Sequence, residues 1–163
     1  MDYIIQIEGT IRILVFLFIF AVMAIWELFA PRRELLCPKI ERWLANILMT
    51  IANTALVRAV VPAIAISAAV LAESNQWGLF HIIDLPTVLV FALCIITLDL
   101  VIYGQHLVFH RVPFLWRLHR VHHTDLDFDV TTALRFHPLE ILLSLFVKAG
   151  AVVVLGAPLE VII

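Results

Sequence analysis

Apolar positions along the chain gather into four long runs, and short polar stretches separate them. The first runs from Ile13 to Ala30 and is interrupted only by Glu27. As a helix, and with help from its flanks, it is long enough to cross a hydrocarbon core of about 30 Å. The start is acidic (Asp2, Glu8) and no small-residue cleavage site follows, so the run reads as a retained helix and not as a secretory signal. Pro31-Arg32-Arg33 ends it. The second run spans about Trp43 to Ala72, with Asn46, Asn53 and Arg58 at roughly helical spacing. A charge near mid-bilayer costs about 2.5–3.5 kcal/mol, so Arg58 either faces the bundle, water or an acidic partner, or snorkels from a tilted helix. A polar turn with an interfacial tryptophan, Glu73 to Gly78, leads to the third run, Leu85 to about Tyr103. The fourth run, Ile141 to Ile163, carries Lys148 and Glu160. This pattern predicts an all-α, multi-pass integral membrane protein of about four transmembrane helices, with residues 1–163 forming a single membrane domain.

Composition supports the membrane reading. The 163 residues are 63% hydrophobic and only 15% charged, with a mean hydropathy of +1.05. A soluble domain would lie nearer half apolar and a quarter charged. A net charge of −2 gives no reason to expect a nucleic-acid partner. Cys37 and Cys94 match no thiol spacing for metal and no disulfide framework. Cys37 reads as a free thiol and Cys94 as a small apolar packing residue. Basic residues set the orientation. Arg32, Arg33, Lys39 and Arg42 follow the first run, Arg111, Arg117, Arg120 and Arg135 surround the histidines, and Glu73 to Asp84 holds no lysine or arginine. The positive-inside rule places both basic regions in the cytoplasm and the N-terminus outside.

The chemistry is concentrated between Asp99 and His137. Six of the seven histidines lie there: His106, His110, His119, His122, His123 and His137. His106 and His110 are four apart, one turn above the other on a helix face, and Asp99 lies seven earlier on the same stripe. His119, His122 and His123 stand at i, i+3 and i+4, again one face. Pro113 disfavours helix at Val112, so one helix should end near His110 and a second restart around Phe114. Imidazole is the commonest protein ligand for transition metals, and several must converge to make a site. The spacing therefore predicts a polynuclear metal site on a bent helix pair, forming a histidine-rich helical cap on the cytoplasmic side. Asp99 is a candidate for direct ligation or for orienting an imidazole, with interfacial solvation as the alternative.

Two nearby features are set aside. His81 enters no spacing pattern and reads as interfacial. Asp125-Leu126-Asp127-Phe128-Asp129 opens like a calcium loop, but Val130 stands where the tight-turn glycine is needed and Phe136 where the closing glutamate should be. Its alternating acids predict a solvated, extended connector. No nucleophile constellation and no H-E-x-x-H is present, so hydrolysis is not favoured.

The boxes His106-Leu107-Val108-Phe109-His110 and His119-Arg120-Val121-His122-His123, with the flanking Thr131 to Glu140 (TTALRFHPLE), resemble the fatty acid hydroxylase/sterol desaturase superfamily of membrane-bound di-iron oxygenases. The resemblance covers about Asp99 to Glu140. It implies a cytoplasmic di-iron centre that uses dioxygen and an external electron donor of the cytochrome or ferredoxin type to hydroxylate or desaturate a lipid, a fatty acyl chain or a sterol. Carried over residue by residue, it makes His106, His110, His119, His122 and His123 iron ligands, and His137, in the RFHP position, a weaker one. The family's third histidine box is not found within residues 1–163. The expectation is therefore an N-terminal part of such an enzyme, incomplete at its C-terminus, that binds metal weakly and shows no turnover alone. A non-catalytic truncated membrane protein and a haem- or metal-binding membrane protein are the alternatives.

Overall fold

Where the apolar runs predict helices, helices form. The computed structural model describes residues 2–60 and 64–162. Helix α1 is Asp2–Phe29, α2 Lys39–Val60, α3 Ile64–Ser74, α4 Leu79–Ile82, α5 Thr87–Arg111 and α6 Pro113–His123. A short 3-10 turn, Thr132–Leu134, precedes α7, Pro138–Leu155, and α8, Leu159–Ile162. No strand occurs among the described residues.

Three stretches are long and apolar enough to cross a membrane: Thr10–Phe29, Thr87–Arg111 and Pro138–Leu155. Only 6%, 11% and 22% of their most apolar windows is buried within the protein. Helices this apolar that turn their side chains outward need a non-aqueous surrounding, as the bulk of Phe18, Trp26 and Phe29 on the outside of α1 shows. The run from Trp43 to Ala72 is represented by α2 and α3; residues 61–63 within it lie outside the described residues. The fourth run departs from expectation. Helix α7 stops at Leu155, where Gly156 takes a left-handed conformation (φ 65°, ψ 43°), and Pro158 follows. Gly156 is also where the chain passes closest to the α3–α4 turn: a Cβ there would stand 2.6 Å from the Trp77 carbonyl oxygen and 2.7 Å from His81 Cδ2. The Ile163 end of the run and the Glu160 side chain lie outside the described residues.

The chain divides into two compact units. One comprises residues 1–52 and 121–135, the other residues 53–120 and 136–163. In the second, α7 packs against α3, α4 and α5, and α8 against α3 and α5. Its core is made mostly of small side chains, Ala68, Ala69, Cys94, Ala149 and Ala157, with Val90, Val152 and Leu155. Small residues let helix backbones approach closely where no water drives them together.

In the first unit the Asp125–Asp129 segment folds inward, which corrects the expectation of a solvated connector. Arg42 donates to Asp125 through Nε (2.7 Å) and Nη2 (3.0 Å), a two-pronged pair, and its Nη1 lies 3.0 Å from Asp129 Oδ2. Asn46 Nδ2 donates to Asp125 Oδ2 at 3.1 Å and Thr132 Oγ1 to the same oxygen at 2.8 Å. Asp127 accepts the backbone N–H groups of Leu36 (2.9 Å) and Cys37 (3.0 Å). Burial alone would raise the Asp125 carboxyl, but the hydrogen bonds from Arg42, Thr132 and Asn46 outweigh it and hold the group below its ordinary range. Asp127 moves the same way: burial is opposed by the Cys37 and Leu36 amides and by the Arg42 and Arg33 charges. Such acids cannot be left in water's place without donors, and the segment turns inward because α2 supplies them.

Candidate metal centre

The break before Pro113 falls where the sequence places it. Helix α5 ends at Arg111, and α6 begins at Pro113, a first-turn position in which a missing N–H costs nothing. In the second unit this bend folds His119 of α6 back onto the α5 pair. The rings of His106 and His110 are 4.7 Å apart between centroids, and His119 lies 4.6 Å from the first and 4.8 Å from the second. One ring nitrogen from each of the three lies within 4.8 Å of the other two.

His106 Nε2 and His110 Nε2 are 3.1 Å apart. Nitrogens held at about 2.1 Å from one transition ion stand roughly 3.0–3.4 Å apart when adjacent and about 4.2 Å when opposite. The pair fits that spacing, and the trio's outer limit exceeds it by about half an ångström. His119, 1% exposed, is fixed from the far side: its Nδ1 lies 2.7 Å from Glu140 Oε1. An ionised carboxylate accepts only, so with Glu140 ionised Nδ1 donates to it and Nε2 is the nitrogen of His119 that could serve as a ligand. A carboxylate behind a ligating imidazole orients the ring and raises its basicity. The fully buried Phe109 packs on His119 at 5.7 Å and Trp116 on His110 at 5.2 Å, giving the group an aromatic wall. Three neutral nitrogens with a single supporting carboxylate form a donor set for a mid-series transition metal, unlike the oxygen-rich sets of magnesium or calcium.

Residues 91–163 match the model of the fatty acid hydroxylase family. This segment is similar to that family. It contains all six candidate histidines together with Glu140. The similarity suggests an oxidoreductase that hydroxylates or desaturates lipids, in a family that is typically metal-dependent. No curated protein and no solved structure gives a match.

The remaining candidates take different places. His122 and His123 belong to the first unit, where their rings meet edge to face at 5.2 Å and His122 Nδ1 lies 3.3 Å from the Arg135 carbonyl oxygen. His137 caps α7, its Nδ1 accepting the Leu139 N–H at 3.2 Å. Asp99 is exposed on α5, roughly 10 Å along the axis from His106 by helical rise. It makes no hydrogen bond or ion pair among the described residues. Two partners of the trio escaped the spacing analysis. Glu140 stands in the first turn of α7, where an acid ordinarily complements the helix dipole, so its position alone does not mark it. Phe109 lies between the two histidines of the first box and reads as one more apolar residue.

A cleft of about 320 Å³ in the second unit reaches this site. His106 and Glu140 line it, with Gln105 and Ser144, which are hydrogen-bonded to each other, and Lys148 farther along α7.

Proposed function

We propose that the chain is a membrane-bound, dioxygen-dependent oxidoreductase that hydroxylates or desaturates a lipid, a fatty acyl chain or a sterol. The observation that carries this reading is the convergence of His106, His110 and His119 with Glu140 behind His119, inside a fatty acid hydroxylase segment. These three residues would hold iron, and His122, His123 and the weaker candidate His137 are assigned as further iron ligands, as the family resemblance implies. A di-iron centre, when bound, supplies dioxygen activation for C–H oxidation. Glu140 keeps the His119 proton on Nδ1 and its ring in one orientation. Phe109 packs on the buried His119 and Trp116 on His110, while His106 and His110 remain exposed. The cleft beside His106 receives the lipid, and its lining by α5 and α7 aligns an alkyl chain with the metal-binding nitrogens. Asp99 is assigned a positioning role for the α5 histidines. Electrons come from an external donor of the cytochrome or ferredoxin type. The run from Trp43 to Ala72 completes four spans with the three apolar helices, and the arginine and lysine distribution favours a cytoplasmic histidine-rich cap.

The test is turnover in lipid vesicles loaded with ferrous iron, a reductant and an isotope-labelled fatty acid, with products read by mass spectrometry. An oxygenated or desaturated product from the wild-type chain, absent from His119→Ala, would support this reading and overturn the expectation, drawn from the two histidine boxes, that residues 1–163 show no turnover alone. Equal product from His119→Ala would overturn the assignment.

A further inference from the structure

Lys148 stands inside the apolar stretch Pro138–Leu155, ten residues from its start and seven from its end. A lysine near the middle of a spanning helix costs about 2.5–3.5 kcal/mol, and such residues usually face a partner or a cavity. Lys148 has no ion pair and no hydrogen bond among the described residues, and it lines the cleft that reaches His106 and Glu140. Glu140 is engaged with His119 and does not serve as its counter-ion. Along α7 the two residues are eight apart, about 12 Å by helical rise. Between them the cleft wall is apolar, formed by Ile141 and Leu145 of α7 and by Ile102 and Phe109 of α5. Gln105 and Ser144 carry no charge: Gln105 Nε2 donates to Ser144, and the buried Gln105 Oε1, which has no hydrogen-bond partner, can only accept and so cannot take the place of a cation. The cleft thus carries His106 and Glu140 and, eight residues along α7 from Glu140, an exposed cation with no ion pair among the described residues.

We propose that Lys148 is a specificity-determining residue: its ammonium binds the carboxylate of a single-chain lipid whose alkyl chain lies along the cleft toward His106. The inference rests on the reading of the site as lipid-oxidising and adds which lipid the site selects. A neutral ester or a sterol offers the cation no counter-charge, whereas a carboxylate does. About 12 Å of helical rise separates Glu140 from Lys148, so the carbon presented to His106 lies well removed from the carboxylate. A snorkelling Lys148 that only meets the membrane surface would make no such distinction.

The experiment uses the full chain in lipid nanodiscs and a fluorescent polyene fatty acid, compared with its methyl ester. Wild type should bind the acid about tenfold more tightly than the ester, as one charge-assisted hydrogen bond allows. Lys148→Met should lose that preference by weakening the acid alone, and Lys148→Arg should keep it. Unchanged ester binding shows that the variant folds; where Lys148→Met fails this control, Lys148→Gln takes its place. Equal weakening of acid and ester, or wild-type binding of the acid by the neutral variant, overturns the proposal. The same titration on His119→Ala separates the two readings. Acid preference should survive there; acid preference in a wild-type chain that gives no oxidised lipid would leave the Lys148 site standing and the oxidoreductase reading fallen.

Discussion

Two clusters of titratable side chains look alike in the sequence and differ in what their groups have left to offer. Around Asp125, every oxygen that turns inward meets a donor from Arg42, Asn46 or Thr132, and Asp127 is held by two backbone amides. Both Asp125 oxygens are engaged, Asp127 keeps one buried oxygen without a hydrogen bond beside Arg33, and the charge of the cluster is answered by guanidinium. Around His119 the bonding runs the other way. One carboxylate secures the back of one ring, and three imidazole nitrogens face each other across a few ångströms. A cluster whose charges are paired off holds the chain together; a cluster that gathers three imidazole nitrogens at one place could hold an ion. The number of ionisable residues does not separate the two cases, but the direction of their lone pairs does.

The largest effect should come from removing the partner of a buried charge. Asp125→Ala takes the two-pronged partner from the buried Arg42, leaves it only the Asp129 contact, and should cost up to about 3–5 kcal/mol of stability, read by chemical denaturation in detergent. The depressed Asp125 carboxyl fixes the sign of the pH dependence. Its contribution is complete above the unfolded value of about 3.9 and is lost as pH falls through the lower folded value. Acid unfolding should therefore steepen below about pH 4 in wild type and flatten in Asp125→Asn. A cluster that tolerates Asp125→Ala with unchanged stability would not be the structural anchor described here.

Glu140→Gln sharpens the other side of the comparison. The amide can still contact His119, but it no longer enforces a proton on Nδ1. Metal affinity should fall about 10–100-fold, measured by competition with a chelator, while the denaturation midpoint moves little. A large loss of stability with full metal affinity would place Glu140 with the structural acids.

Much of this was legible in sequence because it is local. Helix faces, the break at Pro113 and the His106–His110 stripe follow from a period of 3.6 and from proline's missing donor. What was not legible is pairing across distance. Arg42 and Asp125 are 83 positions apart, and His119 and Glu140 are 21 apart and on different helices. Periodicity along one helix cannot see either. The Asp125–Asp129 segment shows a subtler failure. Its alternation is real, but its faces are exchanged: Asp125 and Asp127 are buried while Leu126 is 60% and Phe128 65% exposed. Beside a membrane the outside is itself partly apolar, so the rule that polar residues point outward loses its force. The fourth run was misjudged for a local reason, since Gly156 and Pro158 were available to end α7 and went unweighted.

The central claim is that His106, His110 and His119 bind one transition ion, and that the acids of the first unit do not. Elemental analysis of the purified chain, loaded anaerobically with ferrous iron and then desalted, tests it most directly. The account predicts retained iron in wild type and in Asp125→Asn, and loss of most of it in His106→Ala, His110→Ala and His119→Ala. Iron retained in all three histidine variants, or lost in Asp125→Asn alone, would contradict it.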